Sequence, residues 1–333
     1  MTRILTGNLT LEHEVMVIII GAGPIGLATG IQLKRKGIPF RIIERGCLVN
    51  SLYHYPTNMT FFSTSDRLEI GDIPFISHGS KPTRSEALEY YRRAAEHYKL
   101  PINLYESVKK IEGEDGNFTV VTDKDSYKAK KVVVATGFYG TANKMNVPGE
   151  DLPKVKHYYD EPHPYAWQNV LVIGAGNSGV DVALECFRAN ANVTMAVRYG
   201  EIKKSVKYWV KPDIENRIKF GEVNAYFNTT VKEIREKDVV LDTPKGEVTV
   251  ENDFVLAMTG YHPNYDLMNA LGIELTNDEK CMPVHEEKSL ETNRKGMYVA
   301  GVVCGGMDTS RLFIENSRVH ADQIAEHIAA SLK

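Results

Sequence analysis

Gly21-Ala22-Gly23-Pro24-Ile25-Gly26 and Gly174-Ala175-Gly176-Asn177-Ser178-Gly179 are two nearly identical stretches that decide the fold of this chain. Each follows a short apolar run, Val15 to Ile20 in the first case and Val170 to Ile173 in the second. The pattern is typical of a buried strand, a tight turn and a helix whose free amide groups point at a pyrophosphate. The first glycine makes the turn, the second lets the phosphate approach the backbone, and the third lets the helix pack on the strand. Two copies therefore predict two dinucleotide sites, between which a hydride can pass.

The second predicted strand of each copy is followed by a residue of opposite charge. Phe40 to Ile43 precedes Glu44, whose carboxylate can accept hydrogen bonds from a ribose 2′-hydroxyl and would repel a 2′-phosphate. Val193 to Val197 precedes Arg198, with Lys203 and Lys204 behind it, and these cations can pair with a 2′-phosphate. The first site is thus predicted to suit FAD or NAD, and the second to suit NADPH. In both cases an ordinary charged strand end is the alternative.

Composition and charge narrow the class of protein. The 333 residues are 43% hydrophobic and 25% charged, which is typical of a globular chain of about two domains. A net charge of -3 gives no reason to expect nucleic acid as a partner. The longest apolar run is too short for a membrane span, and it feeds straight into the first glycine turn, so we expect neither a membrane anchor nor a signal peptide.

The cysteines and histidines indicate no metal site. Cys47, Cys186, Cys281 and Cys304 are widely spaced, so the chain contains neither a thioredoxin-type C-x-x-C pair nor a zinc knuckle. His157, His163 and His285 are not at ligand spacing from the cysteines. We therefore expect a reduced, cytoplasmic protein without a bound metal.

Two later stretches are predicted to approach the first dinucleotide. Thr136 and Gly137 follow a strand at Val132 to Val134, and small residues there let the strand end come close to the ligand. The C-terminal part is predicted to return to the first domain through a strand from Met297 to Val303, which contains Gly301, and a helix from Thr309 to Ala330. The start of that helix, around Asp308, is predicted to direct amide groups and a partial positive charge at a flavin.

Longer motifs make the chain similar to a known family. The two glycine motifs, Ala135 to Gly137, Gly260 to Asn264 and Tyr298 to Gly301 resemble the thioredoxin-reductase-like flavoproteins. More specific stretches resemble the bacillithiol disulfide reductases of the YpdA type: Ser51 to Thr57, Phe61 to Asp66, Lys81 to Arg84 and Phe313 to Asn316. The resemblance implies that NADPH reduces FAD, and that the electrons then pass to a low-molecular-weight disulfide of the bacillithiol type.

The same resemblance implies an α/β fold of two Rossmann-like, three-layer (ββα/βαβ) dinucleotide-binding domains, with the NADPH domain inserted into a split FAD domain. Residues 1–160 and 262–333 are predicted to bind FAD, and residues 161–261 to bind NADPH. The predicted FAD contacts are Gly21, Gly23, Pro24, Ile25, Gly26, Glu44, Thr136, Gly137, Gly301 and Asp308. The predicted NADPH contacts are Gly174, Gly176, Asn177, Ser178, Gly179, Arg198, Lys203 and Lys204.

One position departs from the family pattern. The family typically has a cysteine inside the first glycine motif, where this chain has Ile25. A thiolate is the nucleophile in disulfide exchange, and isoleucine cannot take that role. Either the protein does not reduce disulfides, or another thiol serves. Cys304, which follows the last predicted strand, is the candidate, and a small buried cysteine is the alternative interpretation.

Three other functions stay open at this point. Phe138, Gly140 and Pro148 partly match the flavin monooxygenase fingerprint, with Lys144 where a histidine is expected. A cysteine-free ferredoxin- or flavodoxin-NADP reductase would have a small electron-acceptor protein as its partner, in place of a small-molecule disulfide. A flavin-bound redox sensor would keep both sites without rapid turnover. Any of these is compatible with a homo-oligomer.

Overall fold

The computed structural model describes residues 14–332, which form two compact units. Of the described residues, unit 1 comprises 14–53, 59–141 and 261–332, and unit 2 comprises His54–Asn58 and Ala142–Gly260. Unit 2 is thus inserted into unit 1, as the fold prediction requires. Residues 142–160, which the sequence prediction joins to the first domain, belong to unit 2 because Val155 and Lys156 pair with a strand of its central sheet.

The secondary structure is mixed α/β. The strands are β1 Glu14–Ile20, β2 Phe40–Ile43, β3 Ile102–Asn103, β4 Val108–Glu114, β5 Asn117–Thr122, β6 Ser126–Val134, β7 Val155–Lys156, β8 Asn169–Ile173, β9 Asn192–Val197, β10 Asn224–Phe227, β11 Thr230–Ile234, β12 Asp238–Thr243, β13 Gly246–Glu251, β14 Phe254–Ala257 and β15 Met297–Val299. The α-helices are α1 Pro24–Arg35, α2 Asn50–Tyr53, α3 Arg84–His97, α4 Asn177–Arg188, α5 Lys211–Lys219, α6 Tyr265–Ala270, α7 Ile314–Ser317 and α8 His320–Ser331.

Unit 1 is built on a seven-stranded sheet in the order β3-β2-β1-β6-β5-β4, with β15 also paired to β6. The strands β1, β2, β6 and β15 run parallel, whereas β4, β5 and β6 form an antiparallel meander. The carboxyl-terminal residues of the central strands, 17–20 in β1 and 132–134 in β6, are apolar and buried because both faces of the sheet are covered there. Their carboxyl ends, at Ile20 and Val134, lie side by side in register. The segments that follow these two strands are therefore brought together at one edge of the sheet.

Unit 2 has three layers. Its parallel sheet has the order β10-β9-β8-β14-β7, and a separate antiparallel sheet has the order β11-β12-β13. Alternate side chains of β8 enter different cores: Val170 and Val172 pack with helix α4, whereas Leu171 and Ile173 pack with Val239 of β12. Because successive side chains of a strand point to opposite faces, the helix covers one face of the parallel sheet and the small antiparallel sheet covers the other.

The C-terminal prediction is wrong in two respects. The strand ends at Val299 rather than Val303, and residues Gly301–Gly305 form a 3₁₀ helix that begins at a glycine with φ of 84°. No helix starts near Asp308: the first one is α7, which begins at Ile314, and α8 follows from His320. The side chain of Asn316 explains the late start, because it accepts from the Phe313 N–H and donates to the Arg311 carbonyl in place of backbone pairing. Asp308 therefore does not lie at a helix N-terminus.

Candidate functional site

The first glycine turn connects β1 to α1 with two glycines that tolerate no side chain. Gly21 has φ of 108°, and a Cβ atom there would lie 2.5 Å from the carbonyl oxygen of Ala135. A Cβ atom on Gly26 would collide with the carbonyl oxygen of Gly21 itself. The turn is held to the sheet by the Gly21 N–H, which donates to Ile43 at 2.8 Å. These contacts give the first and third glycines the packing roles that the sequence predicts.

The middle glycine faces open space. Apart from Gly23 and its two chain neighbours, no atom of residues 14–332 lies within 4 Å of the position that a Cβ of Gly23 would take. Gly23 is the N-cap of α1, and no side chain caps the amide groups of the first turn. Pro24 occupies the first helical position, where an N–H would have no acceptor within the helix, so its missing N–H costs no hydrogen bond. An uncapped helix start beside free space is the arrangement that a pyrophosphate group requires, so the residues present fit a bound dinucleotide.

The second glycine turn repeats this geometry in unit 2. Gly174 has φ of 110°, and its Cβ would lie 2.5 Å from the carbonyl oxygen of Met258. A side chain on Gly179 would collide with Gly174, whereas the space beside Gly176 is open. Gly176 is the N-cap of α4, again without a side-chain cap. Asn177 and Ser178, both predicted contacts, form the first turn of this helix.

Glu44 is not the solvated strand-end charge of the alternative interpretation, because its side chain is buried at 7% exposure. One carboxylate oxygen accepts from the Ala22 N–H at 2.8 Å, and the other accepts from the Gly46 N–H at 2.9 Å. The carboxylate is therefore hydrogen-bonded to the backbone of the first glycine turn itself. Each oxygen retains a lone pair that can accept a further hydrogen bond, for example from a ribose hydroxyl.

Arg198 and the two lysines lie where the sequence predicts, beyond the carboxyl end of β9. All three side chains are exposed. Within residues 14–332 none of them forms an ion pair, whereas nearby Lys207 is paired with Asp181 at 2.7 Å. This end of unit 2 therefore presents cations that are not ion-paired with a carboxylate in the described residues, in contrast to the acidic residue at the corresponding end of unit 1.

Among the remaining predicted contacts of unit 1, Gly301 packs on the first glycine turn. Gly301 has φ of 84°, and a Cβ atom there would lie 3.1 Å from the Ile25 side chain, so the 3₁₀ segment packs directly on the first glycine motif. Gly137 follows β6 and lies next to Val302. Asp308, by contrast, lies in a turn where its carboxylate accepts from Ser310. Cys304 is buried at 4% exposure, and burial raises the pKa of its thiol to about 12.

His320 is a residue of this region that sequence reasoning missed. Its Nδ1 accepts from the N–H of Gly301 at 3.1 Å, which attaches the first residue of α8 to the 3₁₀ segment. Burial, together with the nearby His285, lowers the pKa of His320 to about 4. The imidazole is therefore neutral at physiological pH, which is the state in which Nδ1 can accept. Only a contact between residues distant in sequence reveals this role.

Replacing His320 by asparagine should change how stability depends on pH. The folded pKa lies below the value of 6.5 for a free histidine, so the unfolded state binds more protons between pH 6.5 and pH 4. This part of the free energy of unfolding is present near pH 7 and is lost as the pH falls. We expect the stability difference between wild type and His320→Asn to shrink over that range in urea titrations at successive pH values. A difference that stays constant with pH would contradict the assignment.

Residues 14–332 contain neither a metal-binding cluster nor a membrane-spanning helix. No group of histidine, cysteine, aspartate or glutamate side chains is arranged to hold a metal ion. No helix in this part of the chain is both long enough and apolar enough to cross a bilayer.

The chain matches known proteins over nearly its whole length. Residues 18–301 match the pyridine nucleotide-disulphide oxidoreductase family. Bacilliredoxin reductase Bdr of Bacillus subtilis (strain 168) is 44% identical over 314 residues, which cover 94% of this chain and 97% of the relative. The solved structure of bacillithiol disulfide reductase Bdr (YpdA) from Staphylococcus aureus is similar with a TM-score of 0.93 at 42% identity, and covers 96% of this chain and 100% of that one.

The corresponding structure from Bacillus cereus also has a TM-score of 0.93, at 43% identity, with 96% of this chain and 99% of that one covered. These similarities confirm the fold class and the resemblance that the motifs predict. Members of the matched family use a flavin and a nicotinamide dinucleotide, and both glycine turns of this chain have room for such ligands. The chain therefore belongs to the pyridine nucleotide-disulphide oxidoreductase family, as a flavoprotein oxidoreductase related to the bacillithiol disulfide reductases.

Proposed function

We propose that this protein uses NADPH to reduce FAD, and that it reduces a low-molecular-weight disulfide of the bacillithiol type. The observation that carries the cofactor assignment is the charge difference between two otherwise alike glycine turns. A buried carboxylate, Glu44, adjoins the turn in unit 1, and the exposed cations Arg198 and Lys203 adjoin the turn in unit 2. The acceptor is proposed from the relatives, whose names describe reduction of bacillithiol disulfide and of bacilliredoxin.

In unit 1 we assign the FAD pyrophosphate to the open space beside Gly23, where it would accept from the uncapped amide groups of α1. Glu44 would accept from a ribose hydroxyl while it continues to hold the amides of Ala22 and Gly46. Gly137 and Gly301, both at positive φ, would let the backbone approach the ligand closely. A bound flavin supplies two-electron chemistry between a nicotinamide and a disulfide.

In unit 2 we assign the NADPH pyrophosphate to the space beside Gly176, at the start of α4. Arg198, Lys203 and Lys204 would compensate the charge of the 2′-phosphate, which NADH lacks. The four free cysteines, Cys47, Cys186, Cys281 and Cys304, are in keeping with the reducing cytoplasm, where we place the reaction.

The thiols of this chain limit how the disulfide can be reduced. Ile25 puts an aliphatic side chain beside Gly301, where the family pattern has a cysteine. Burial raises the pKa of Cys47, Cys186 and Cys304, so none of these three is a ready thiolate. Cys304 is therefore a weak substitute nucleophile.

Replacing Cys304 by alanine is expected to leave turnover of bacillithiol disulfide within about twofold of wild type. The reason is that a thiol with a pKa of about 12 is protonated at neutral pH and is shielded from substrate. Steady-state oxidation of NADPH at saturating disulfide measures the effect. A loss of more than about tenfold, in a variant that still holds its flavin, would show that this thiol takes part.

The function itself is tested by reducing the purified protein anaerobically with NADPH or NADH, and then mixing it separately with bacillithiol disulfide, oxidised bacilliredoxin, oxidised ferredoxin and oxygen. We expect NADPH to bleach the flavin absorbance far faster than NADH, and bacillithiol disulfide to restore it fastest. Equal rates with the two nucleotides would contradict the cofactor assignment. Fastest recovery with ferredoxin or with oxygen would contradict the acceptor and favour a ferredoxin-NADP reductase or a monooxygenase.

A further inference from the structure

One aromatic ring of unit 2, that of Tyr199, lies close to two cations, Arg198 and Lys203. The guanidinium carbon of Arg198 lies 5.1 Å from the centre of the Tyr199 ring, and the Lys203 ammonium lies 5.5 Å from the same centre. An Arg198 Nη2 atom also donates to the Tyr199 hydroxyl at 2.9 Å. Tyr199 is 49% exposed, so it is a surface residue whose side chain is not part of a hydrophobic core. Its contacts place two like charges on one ring.

The loop that carries these side chains is held at both ends by hydrogen bonds to the rest of unit 2. After β9, the Tyr199 carbonyl accepts from the Asn228 N–H at 3.0 Å. The loop then returns to the second glycine turn, where the Lys203 N–H donates to Ala175 at 3.3 Å and the Lys207 N–H donates to the side chain of Asn177 at 2.9 Å. Ile202 is buried at 2% exposure and anchors the loop between these points. The exposed cations are thus held on a fixed backbone next to the space beside Gly176.

Two cations held beside one ring repel each other, and this arrangement favours a bound anion. In the described part of the chain neither Arg198 nor Lys203 is paired with a carboxylate, and the loop's acidic residue, Glu201, is exposed without an ion pair. Cation–π contacts offset part of the repulsion, and a phosphate dianion would offset the rest. The ring also reduces the number of conformations of two long side chains, so less entropy is lost when they bind an anion.

We propose that Tyr199 is a positioning residue that determines specificity for a 2′-phosphorylated dinucleotide, by holding Arg198 and Lys203 ready for that phosphate. This inference rests on the proposed NADPH specificity of unit 2, and it assigns a role to a residue that carries no charge itself. The ring orders the cations, and the cations bind the ligand.

Tyr199→Leu removes the ring and the hydroxyl, and Tyr199→Phe keeps the ring. Calorimetric titration of the holoenzyme with NADP⁺ and NAD⁺ measures the effect, and adenosine 2′,5′-bisphosphate and AMP serve as fragment probes. We expect Tyr199→Leu to raise the Kd for NADP⁺ and for the bisphosphate about fivefold to tenfold, with NAD⁺ and AMP changed less than about twofold. Tyr199→Phe should retain most of the wild-type affinity for NADP⁺, because the cation–π contacts remain.

Phe220→Leu is the matched control in the same unit. Phe220 is exposed at 69% and also has a cation, Lys219, 5.9 Å from its ring centre, but it is the C-cap of α5 and not part of the loop. A similar loss of NADP⁺ affinity in Phe220→Leu would overturn the inference, because any surface ring would then have the same effect. Equal losses in Tyr199→Phe and Tyr199→Leu, with lowered melting temperatures in both, would also overturn it in favour of a structural role.

The failure of this inference differs from the failure of the proposed function. Wild type that prefers NADP⁺, together with a Tyr199→Leu variant that keeps the full preference, would overturn the role of Tyr199 alone. Wild type that binds NADP⁺ and NAD⁺ equally would overturn the NADPH assignment, and the role of Tyr199 with it.

Discussion

Replacing Gly26 by alanine is expected to destabilise unit 1 by about 3 kcal/mol and to yield protein that does not retain flavin. The added methyl group would collide with the carbonyl oxygen of Gly21, which lies on the opposite side of the turn. The oxygen belongs to the backbone and the methyl carbon is bonded directly to it, so neither can rotate away, and relief requires α1 to move away from β1. Thermal unfolding of the apoprotein and the flavin absorbance of the purified protein measure the two effects.

Gly23→Ala is the control for this prediction, because it adds the same methyl group in the same turn without a collision. Gly23 has φ of -73° and ψ of 176°, a conformation open to any residue, and nothing lies within 4 Å of the new atom. We expect its stability to change by less than about 0.5 kcal/mol. Affinity for FAD should nevertheless fall about tenfold, since the methyl group occupies space assigned to the pyrophosphate. If Gly26→Ala were as stable as wild type, the packing role of Gly26 would be contradicted. If Gly23→Ala bound FAD as tightly as wild type, the assignment of the pyrophosphate to the space beside Gly23 would be contradicted.

Replacing Glu44 by alanine should cost about 3 kcal/mol of unfolding free energy even in the absence of any ligand. The carboxylate accepts from the amides of Ala22 and Gly46, and these donors would lose their partner at a position where water has little access. Urea unfolding of the apoprotein measures the loss. Glu44→Gln keeps one acceptor oxygen and should show an intermediate loss.

An exposed carboxylate on the same sheet provides the comparison. Glu14 begins β1 with an exposed side chain, and Glu14→Ala should change stability by less than about 0.5 kcal/mol. If Glu44→Ala were as stable as Glu14→Ala, the buried hydrogen bonds would contribute nothing to the turn. Its effect on the protein would then be confined to ligand binding.

Much of the fold follows from local patterns. The helices α1 and α4 begin at the residues that follow the second glycine of each motif, and α3 begins with the capping box of Thr83 and Glu86. Each of these signals acts within one turn of the chain, so neighbouring residues are enough to predict it. The apolar runs of β1 and β6 likewise predict central strands, because the pattern reflects burial on both faces.

The C-terminal segment shows where such patterns fail. Its apolar residues continue through the predicted helix, but the Asn316 side chain bonds to the backbone at Phe313 and Arg311 and delays the helix start. The 3₁₀ segment from Gly301 depends on its contact with Ile25 and on the bond from its first amide to His320. These partners are distant in sequence, and no period or propensity indicates them.

The amino-acid sequence alone determined the two glycine turns, the opposite charges at their strand ends and the family, because each of these is a property of neighbouring residues. Only the tertiary structure decided that Cys304 is a buried thiol, that Glu44 holds the turn it was expected to serve, and that Tyr199 holds two cations. The physical reason is that burial, hydrogen-bond partners and pKa depend on which distant residues the sheets bring together, and these are set by the packing of the whole unit.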